Sequence, residues 1–275
     1  MTLSKTNPSR MRFGCCGSMI SPAVDAVGGE IAGPLATLGF DYLELSLRDL
    51  VVLPGAALAG LEARLHRAGI ACEACNNFFP PEIRLTGPAA DLPAALRYAE
   101  RALATAARLG AAIVVFGSSG ARNVPTGFPP DAAWTQLRTL LLSLGPVAGR
   151  HNLTLAIEHL NRGESNIINT VAEGGRMVRE VAHPRVRLLV DAYHLRSENQ
   201  DPSVLAGVAS DIVHVHVAQG AERVFPTGDD AGLRDFFAHL VAAGYAGRCS
   251  IEALTNDFSA DAPRALRASR GLAAG

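Results

Sequence analysis

The stretch Leu153-Thr154-Leu155-Ala156-Ile157-Glu158 is apolar almost throughout and stops on a carboxylate. The same construction returns twice further along, in Arg185-Val186-Arg187-Leu188-Leu189-Val190-Asp191 and in Cys249-Ser250-Ile251-Glu252, and between them Ile212-Val213-His214-Val215-His216 stops on an imidazole. A strand with one wet face alternates apolar and polar side chains. Short runs as continuous as these belong to strands covered on both faces, as in a parallel sheet under helices. Toward the N-terminus four more runs appear, at 11–16, 42–45, 70–75 and 112–116. Stretches of helical composition follow most of them, and helices are predicted over 93–109, 132–151, 170–181 and 233–243. In the first of these Leu96, Ala99, Leu103 and Ala107 recur at one helical face. Gly69, Gly110 and Gly244 stand where a helix hands over to the next strand, the place of a C-cap glycine.

Eight strand–helix units in 275 residues predict an α/β fold of one domain, a closed (β/α)8 TIM barrel, rather than an open doubly wound sheet. The turn after the first run, Gly14-Cys15-Cys16-Gly17-Ser18-Met19, lacks the G-x-G-x-x-G of a dinucleotide site. Pro125, Pro129 and Pro130 mark a long loop after the fourth strand, a candidate rim or lid. The polar opening MTLSKTNPSR lacks the apolar core of a secretory signal, so residues 1–10 are expected to be a flexible tail and 11–275 the barrel.

Composition narrows the partners. The chain is 48% hydrophobic and 19% charged with a formal net charge of -1, which excludes a disordered chain and argues against a nucleic-acid binder. No apolar run reaches the ~18–20 residues of a membrane span. Five cysteines do not suggest a disulfide framework, and the expected compartment is a reducing cytoplasm.

In a barrel, side chains at the C-terminal strand ends converge on one mouth. Glu158, Asp191, His214 or His216, and Glu252 occupy those ends on the last four strands. Three carboxylates and an imidazole form a donor set for one divalent ion, Mn2+ first, with Mg2+, Co2+ or Zn2+ also suited. Without an ion the carboxylates would repel one another. Alternation puts His214 and His216 on the same side of their strand. His216, nearer the mouth, is taken as the ligand, and His214 as a hydrogen-bonded interior residue.

The residues that follow the strand ends carry a resemblance. Glu158 is followed by Asn161 and Arg162, Asp191 by His194, and His214-Val215-His216 by Arg223, with Glu252 closing the eighth strand. This pattern resembles the xylose-isomerase-like TIM barrels, most nearly the ketose 3-epimerases and hydroxypyruvate isomerases. The resemblance implies that Glu158, Asp191, His216 and Glu252 bind the metal and that Glu158 and Glu252 double as the acid/base pair. It also implies that His194 and Arg223 contact substrate oxygens and that the protein is a homo-oligomer. Glu164 is expected as a substrate-binding or supporting carboxylate. The chemistry makes sense independently: taking a proton from carbon next to a carbonyl needs a base and a positive charge beside the resulting enediolate. Carboxylates on opposite faces would invert that carbon, and one effective face would isomerise the substrate.

The function expected is thus a divalent-metal-dependent isomerase or epimerase of a small keto-sugar or hydroxy-keto acid. An alternative is a metal-dependent lyase dehydrating a keto-inositol or keto-sugar. An endonuclease IV-type phosphodiesterase ranks lower, because the first four strand ends offer no histidine and the chain has no basic excess. The substrate expected is a small carbohydrate, with neither nucleic acid nor membrane as partner. The spacing Cys72-Glu73-Ala74-Cys75 lies in an extended run and is not read as a redox or zinc motif. Glu44 either lines the mouth or is structural, and Asn76, Asn77, Phe78 and Phe79 form pocket wall or rim packing.

Overall fold

Eight strands close in sequence order into one barrel, each paired in parallel with the next and β8 with β1. The structure is a computed structural model that describes residues 11–20 and 27–275. The expected tail at 1–10 lies outside the described residues. The strands are β1 (Arg12–Cys16), β2 (Tyr42–Ser46), β3 (Cys72–Asn76), β4 (Ile113–Phe116), β5 (Thr154–Glu158), β6 (Val186–Asp191), β7 (Ile212–Val217) and β8 (Arg248–Ile251).

The continuous apolar runs are explained by two cores. One face of each strand packs against the helices, and the other fills the barrel lumen with Tyr42, Ala74, Ile113, Val115, Ala156 and Leu189. Tyr42 reaches across the lumen only because Gly14 faces it: a Cβ there would overlap the tyrosine ring.

Sequence-coded caps start the helices. Asp91 caps Leu92–Arg108, Asp230 caps Ala231–Ala242, and Thr170 with Glu173 forms a capping box on Val171–Val181. Several element boundaries shift slightly from the sequence expectation, two of them for clear reasons. β3 begins at Cys72 rather than at residue 70, because Ile70 still belongs to the exit of helix Gly55–Ala68, where its N–H bonds Leu65. The loop after β4 is partly folded: Ser119–Arg122 makes a helical turn, and Pro130 begins the helix Pro130–Arg150. Among the described residues no helix is long and apolar enough to cross a membrane.

Candidate active site

Four adjacent strands deliver their last polar side chains to one point at the mouth. Ligand atoms of Glu158, Asp191, His216 and Glu252 all lie within 4.8 Å of one another. His216 Nδ1 is 3.2 Å from Glu158 Oε1, 3.2 Å from Glu252 Oε2 and 3.9 Å from Asp191 Oδ2. Register explains the common depth, since Asp191 pairs with His216, and His216 with Ser250, two residues before Glu252. His214 points the same way but sits deeper, against Glu44, as alternation required.

Local structure fixes each member. Asp191 ends β6 and caps the helix Ala192–Ser197, its Oδ1 accepting from the N–H groups of Tyr193 (2.6 Å) and His194 (3.1 Å). That leaves Oδ2 to face the cluster. Glu158 lies over the backbone of Gly117, where a Cβ would overlap Glu158 Oε2. Glu252 stands just past β8, with Oε1 accepting from Asn76 Nδ2 at 3.2 Å and Oε2 paired with Arg223 Nη2.

The two glutamates sit in different fields. Burial raises the Glu158 carboxyl above its ordinary value; the hydrogen bond to His216 opposes this, and the charge of Glu252 adds to it. Burial would raise Glu252 too, but His216 and Arg223 outweigh it and hold that carboxyl far below the usual range. Among the protein's own charges, Glu158 is therefore the carboxyl that more readily holds a proton, and Glu252 the one that stays ionised.

Arg223 adds to the effect of His216 on Glu252. It sits in a left-handed backbone conformation (φ 53°) inside a tight turn in which Gln219 and Val224 exchange backbone hydrogen bonds. Its guanidinium stacks over Tyr193 at 4.8 Å and reaches Glu164 Oε1 at 3.4 Å and Asp191 Oδ2 at 3.8 Å. Glu164 is thus a half-exposed rim residue held by Arg223 and by Asn161 Nδ2 at 3.2 Å. Arg162 turns outward to pair with Glu198 and takes no part in the cluster.

His194 is buried, and its tautomer is dictated by its neighbour. Asn161 donates to His194 Nδ1 from its side-chain amide (2.8 Å) and its backbone N–H (3.2 Å). The proton must then sit on Nε2, which has no hydrogen-bond partner among the described residues and lies 3.8 Å from Asp191 Oδ2. The result is a pre-aimed hydrogen-bond donor beside the cluster.

Three more polar residues come from β2, β3 and the turn after β4; from the sequence Glu44 reads as mouth-lining or structural and Asn76 as pocket wall or rim, and Arg122 has no role. Asn76 ends β3 and holds Glu252. Glu44, fully buried on β2, accepts from both histidines of β7. Burial alone would raise its carboxyl, yet the two imidazoles hold it well below the ordinary value. Arg122, fully buried after β4, donates to the Phe116 carbonyl at 2.9 Å; burial pushes it down to about 10, against the opposing pull of Glu158. Phe78 and Phe79 are buried packing residues. Cys72 and Cys75 are buried strand residues with sulfurs 3.8 Å apart.

The donor set can be tested against a cation. Three carboxylates driven together around one imidazole nitrogen are costly unless a positive charge joins them. Oxygen donors with a single nitrogen suit a hard divalent ion. A second group, Cys16, Glu44 and His216, also comes within 4.8 Å. The oxygens of Glu44 are already taken by His214, His216 and Ser250, so it suits an ion less well.

Comparison with known proteins agrees with the fold. The sequence pattern of the xylose isomerase-like TIM barrel family matches residues 34–273. An L-ribulose 3-epimerase of Mesorhizobium japonicum is 26% identical over 224 residues, 80% of this chain and 73% of its own. A D-psicose 3-epimerase of Agrobacterium fabrum is 26% identical over 201 residues, covering 71% and 69%. A 3-dehydroshikimate dehydratase of Pseudomonas putida is 29% identical over 142 residues, 47% of this chain and only 22% of its own. In fold, the crystal structure of a D-psicose 3-epimerase in the presence of D-fructose superposes with a TM-score of 0.85 at 21% identity. That match covers 96% of this chain and 100% of that one. The chain belongs to the xylose isomerase-like TIM barrel family.

Proposed function

We propose that the protein is a divalent-metal-dependent epimerase or isomerase of a small keto-sugar, working by proton transfer at the carbon next to the carbonyl. The observation that carries this is the convergence of Glu158, Asp191, His216 and Glu252 within 4.8 Å, with Arg223 and the His194 donor beside them. Sugar epimerases among the relatives support it. Glu158, Asp191, His216 and Glu252 would hold the ion, Mn2+ by preference. When bound, it would supply positive charge that stabilises the developing enediolate and so favours loss of the proton next to the carbonyl.

The chain's own residues do the rest. His194 Nε2–H and the Arg223 guanidinium donate to substrate oxygens, and Glu164 at the rim accepts from a substrate hydroxyl. Glu252, kept ionised by Arg223 and steadied by Asn76, takes the proton from carbon. Glu158, whose buried surroundings favour its protonated form, returns one, and the roles exchange in the reverse direction. The five described cysteines, all buried and free, support a reducing, cytoplasmic setting.

Replacing Glu158 or Glu252 by Gln keeps the volume and one ligating oxygen but removes the base. Each variant is expected to retain metal and lose on the order of 10²-fold or more in rate. Wild-type turnover of a reactive ketose in D2O should place deuterium at the carbon next to the carbonyl. Full activity in either Gln variant would exclude that glutamate as an obligatory base. The dehydratase relative favours a second outcome, loss of water after the same proton abstraction. Product mass separates the two, because epimerisation conserves it and dehydration does not.

A further inference from the structure

Behind the cluster lies a buried layer that the proposed chemistry leaves unused. Glu44 Oε1 accepts from His216 Nε2 at 3.0 Å. Its Oε2 accepts from His214 Nε2 at 2.8 Å and from the Ser250 hydroxyl at 2.6 Å. Tyr42 OH lies 2.9 Å from Ser250 Oγ; since the Ser250 proton goes to Glu44, the tyrosine is the donor in that pair. Glu44, His214, His216, Ser250 and Tyr42 are all 0% exposed. Three donors thus converge on two oxygens, and neither oxygen has room for a proton of its own.

This arrangement has one consequence for His216. A carboxylate with no proton can only accept, so the imidazole must present its N–H at Nε2. Nδ1 is the nitrogen that faces Glu158, Asp191 and Glu252, and with Nε2–H held by Glu44 it is the one left to give its lone pair to a cation there. A rotated or tautomerised ring would offer the cluster a proton in place of a lone pair.

We infer that Glu44 is a positioning residue for the cation site: it fixes the Nε2–H tautomer and ring orientation of His216, with His214 and Ser250 bracing it from β7 and β8. The inference rests on the cation site proposed above. Carboxylate support of a ligating histidine of this kind commonly changes metal affinity by about 10–100-fold.

The test begins with Mn2+ titration of the wild-type protein by calorimetry, followed by Glu44→Gln and Ser250→Ala. Glu44→Gln keeps shape and volume but replaces one acceptor oxygen by an amide donor, which opposes one of the three incoming donors. It is expected to weaken Mn2+ binding by about 10–100-fold, with KM for a turned-over ketose changing less than kcat. Ser250→Ala, which leaves the Glu44–His216 bond in place, is expected to change Mn2+ affinity less than about threefold, well inside that range. A folded Glu44→Gln protein with wild-type Mn2+ affinity overturns the inference while leaving the site intact. A wild-type protein that binds no Mn2+ overturns both.

A second measurement needs no variant. In ¹⁵N-histidine-labelled wild-type protein loaded with diamagnetic Mg2+, the His216 proton should be found on Nε2, downfield and slow to exchange. Finding it on Nδ1 overturns the inference even if Glu44→Gln does not fold.

Discussion

Asn76 donates to Glu252 Oε1 at 3.2 Å while Arg223 holds the other oxygen, so the carboxylate proposed as the base has both oxygens anchored. A hydrogen bond to a charged acceptor is worth about 1.5–3 kcal/mol. Asn76→Ala is therefore expected to lower kcat by about 10- to 100-fold with little change in melting temperature, as steady-state kinetics beside a thermal scan would show. An unchanged kcat would mean that Arg223 alone orients Glu252. Asn76 also shows which side chains a sequence can reveal. Glu158, Asp191, His216 and Glu252 announce themselves because each ends an apolar run. Asn76 closes such a run and Glu44 stands inside one, but their meaning depends on partners 176 and 172 residues away, and no local pattern encodes those. Asn161 was legible as part of a motif, whereas its effect on the His194 tautomer required the fold to bring the two together.

At the level of elements, the passage from β4 into its loop is as important as any side chain. Gly117 follows Phe116 directly, and its missing Cβ is the space that Glu158 occupies from the neighbouring strand. Gly117→Ala should fold, because the flexible end of Glu158 can yield, but the carboxylate must leave the cluster. The expected result is a loss of about 100-fold in kcat, the scale for displacing a reacting group by about 1 Å. The melting temperature should stay within about 4 °C, the shift that about 1 kcal/mol produces. Strands and long helices were legible from continuous apolar runs and from 3.6-residue periodicity. The short helices at strand ends, Gly17–Ile20, Leu47–Val51 and Ser119–Arg122, were not, because one turn carries no periodicity to detect. Yet such turns lead away from the mouth, and the helix Ala192–Ser197 depends on the same Asp191 that faces the cluster.

Across the whole molecule, closure of the barrel was legible from the number of strand–helix units, and the depth of the four-residue cluster from where each run stopped. What remained hidden was that the far wall completes the site: β2 and β3 contribute Glu44 and Asn76, so the N-terminal half supports chemistry whose acids lie on the C-terminal half. A site assembled from both halves of a closed sheet couples local charge to global stability. Without a cation, the buried carboxylates of Glu158 and Glu252 face each other, and the charge of Glu252 adds to the burial that raises Glu158. A divalent ion that binds the native barrel, but not the unfolded chain, removes that repulsion and adds its own binding energy. At a free concentration of about 100 times its Kd, the linkage gain is about 2.7 kcal/mol, or about 5–10 °C in melting temperature for a domain of this size. Thermal scans in Mn2+ and in EDTA should differ by that amount. The difference should vanish in Asp191→Ala, which deletes one ligand and leaves the other three strand ends in place. Equal melting temperatures for the wild type in both solutions would show that the cluster holds no ion, and proton transfer would then need another source of positive charge, such as Arg223, which already pairs with Glu252.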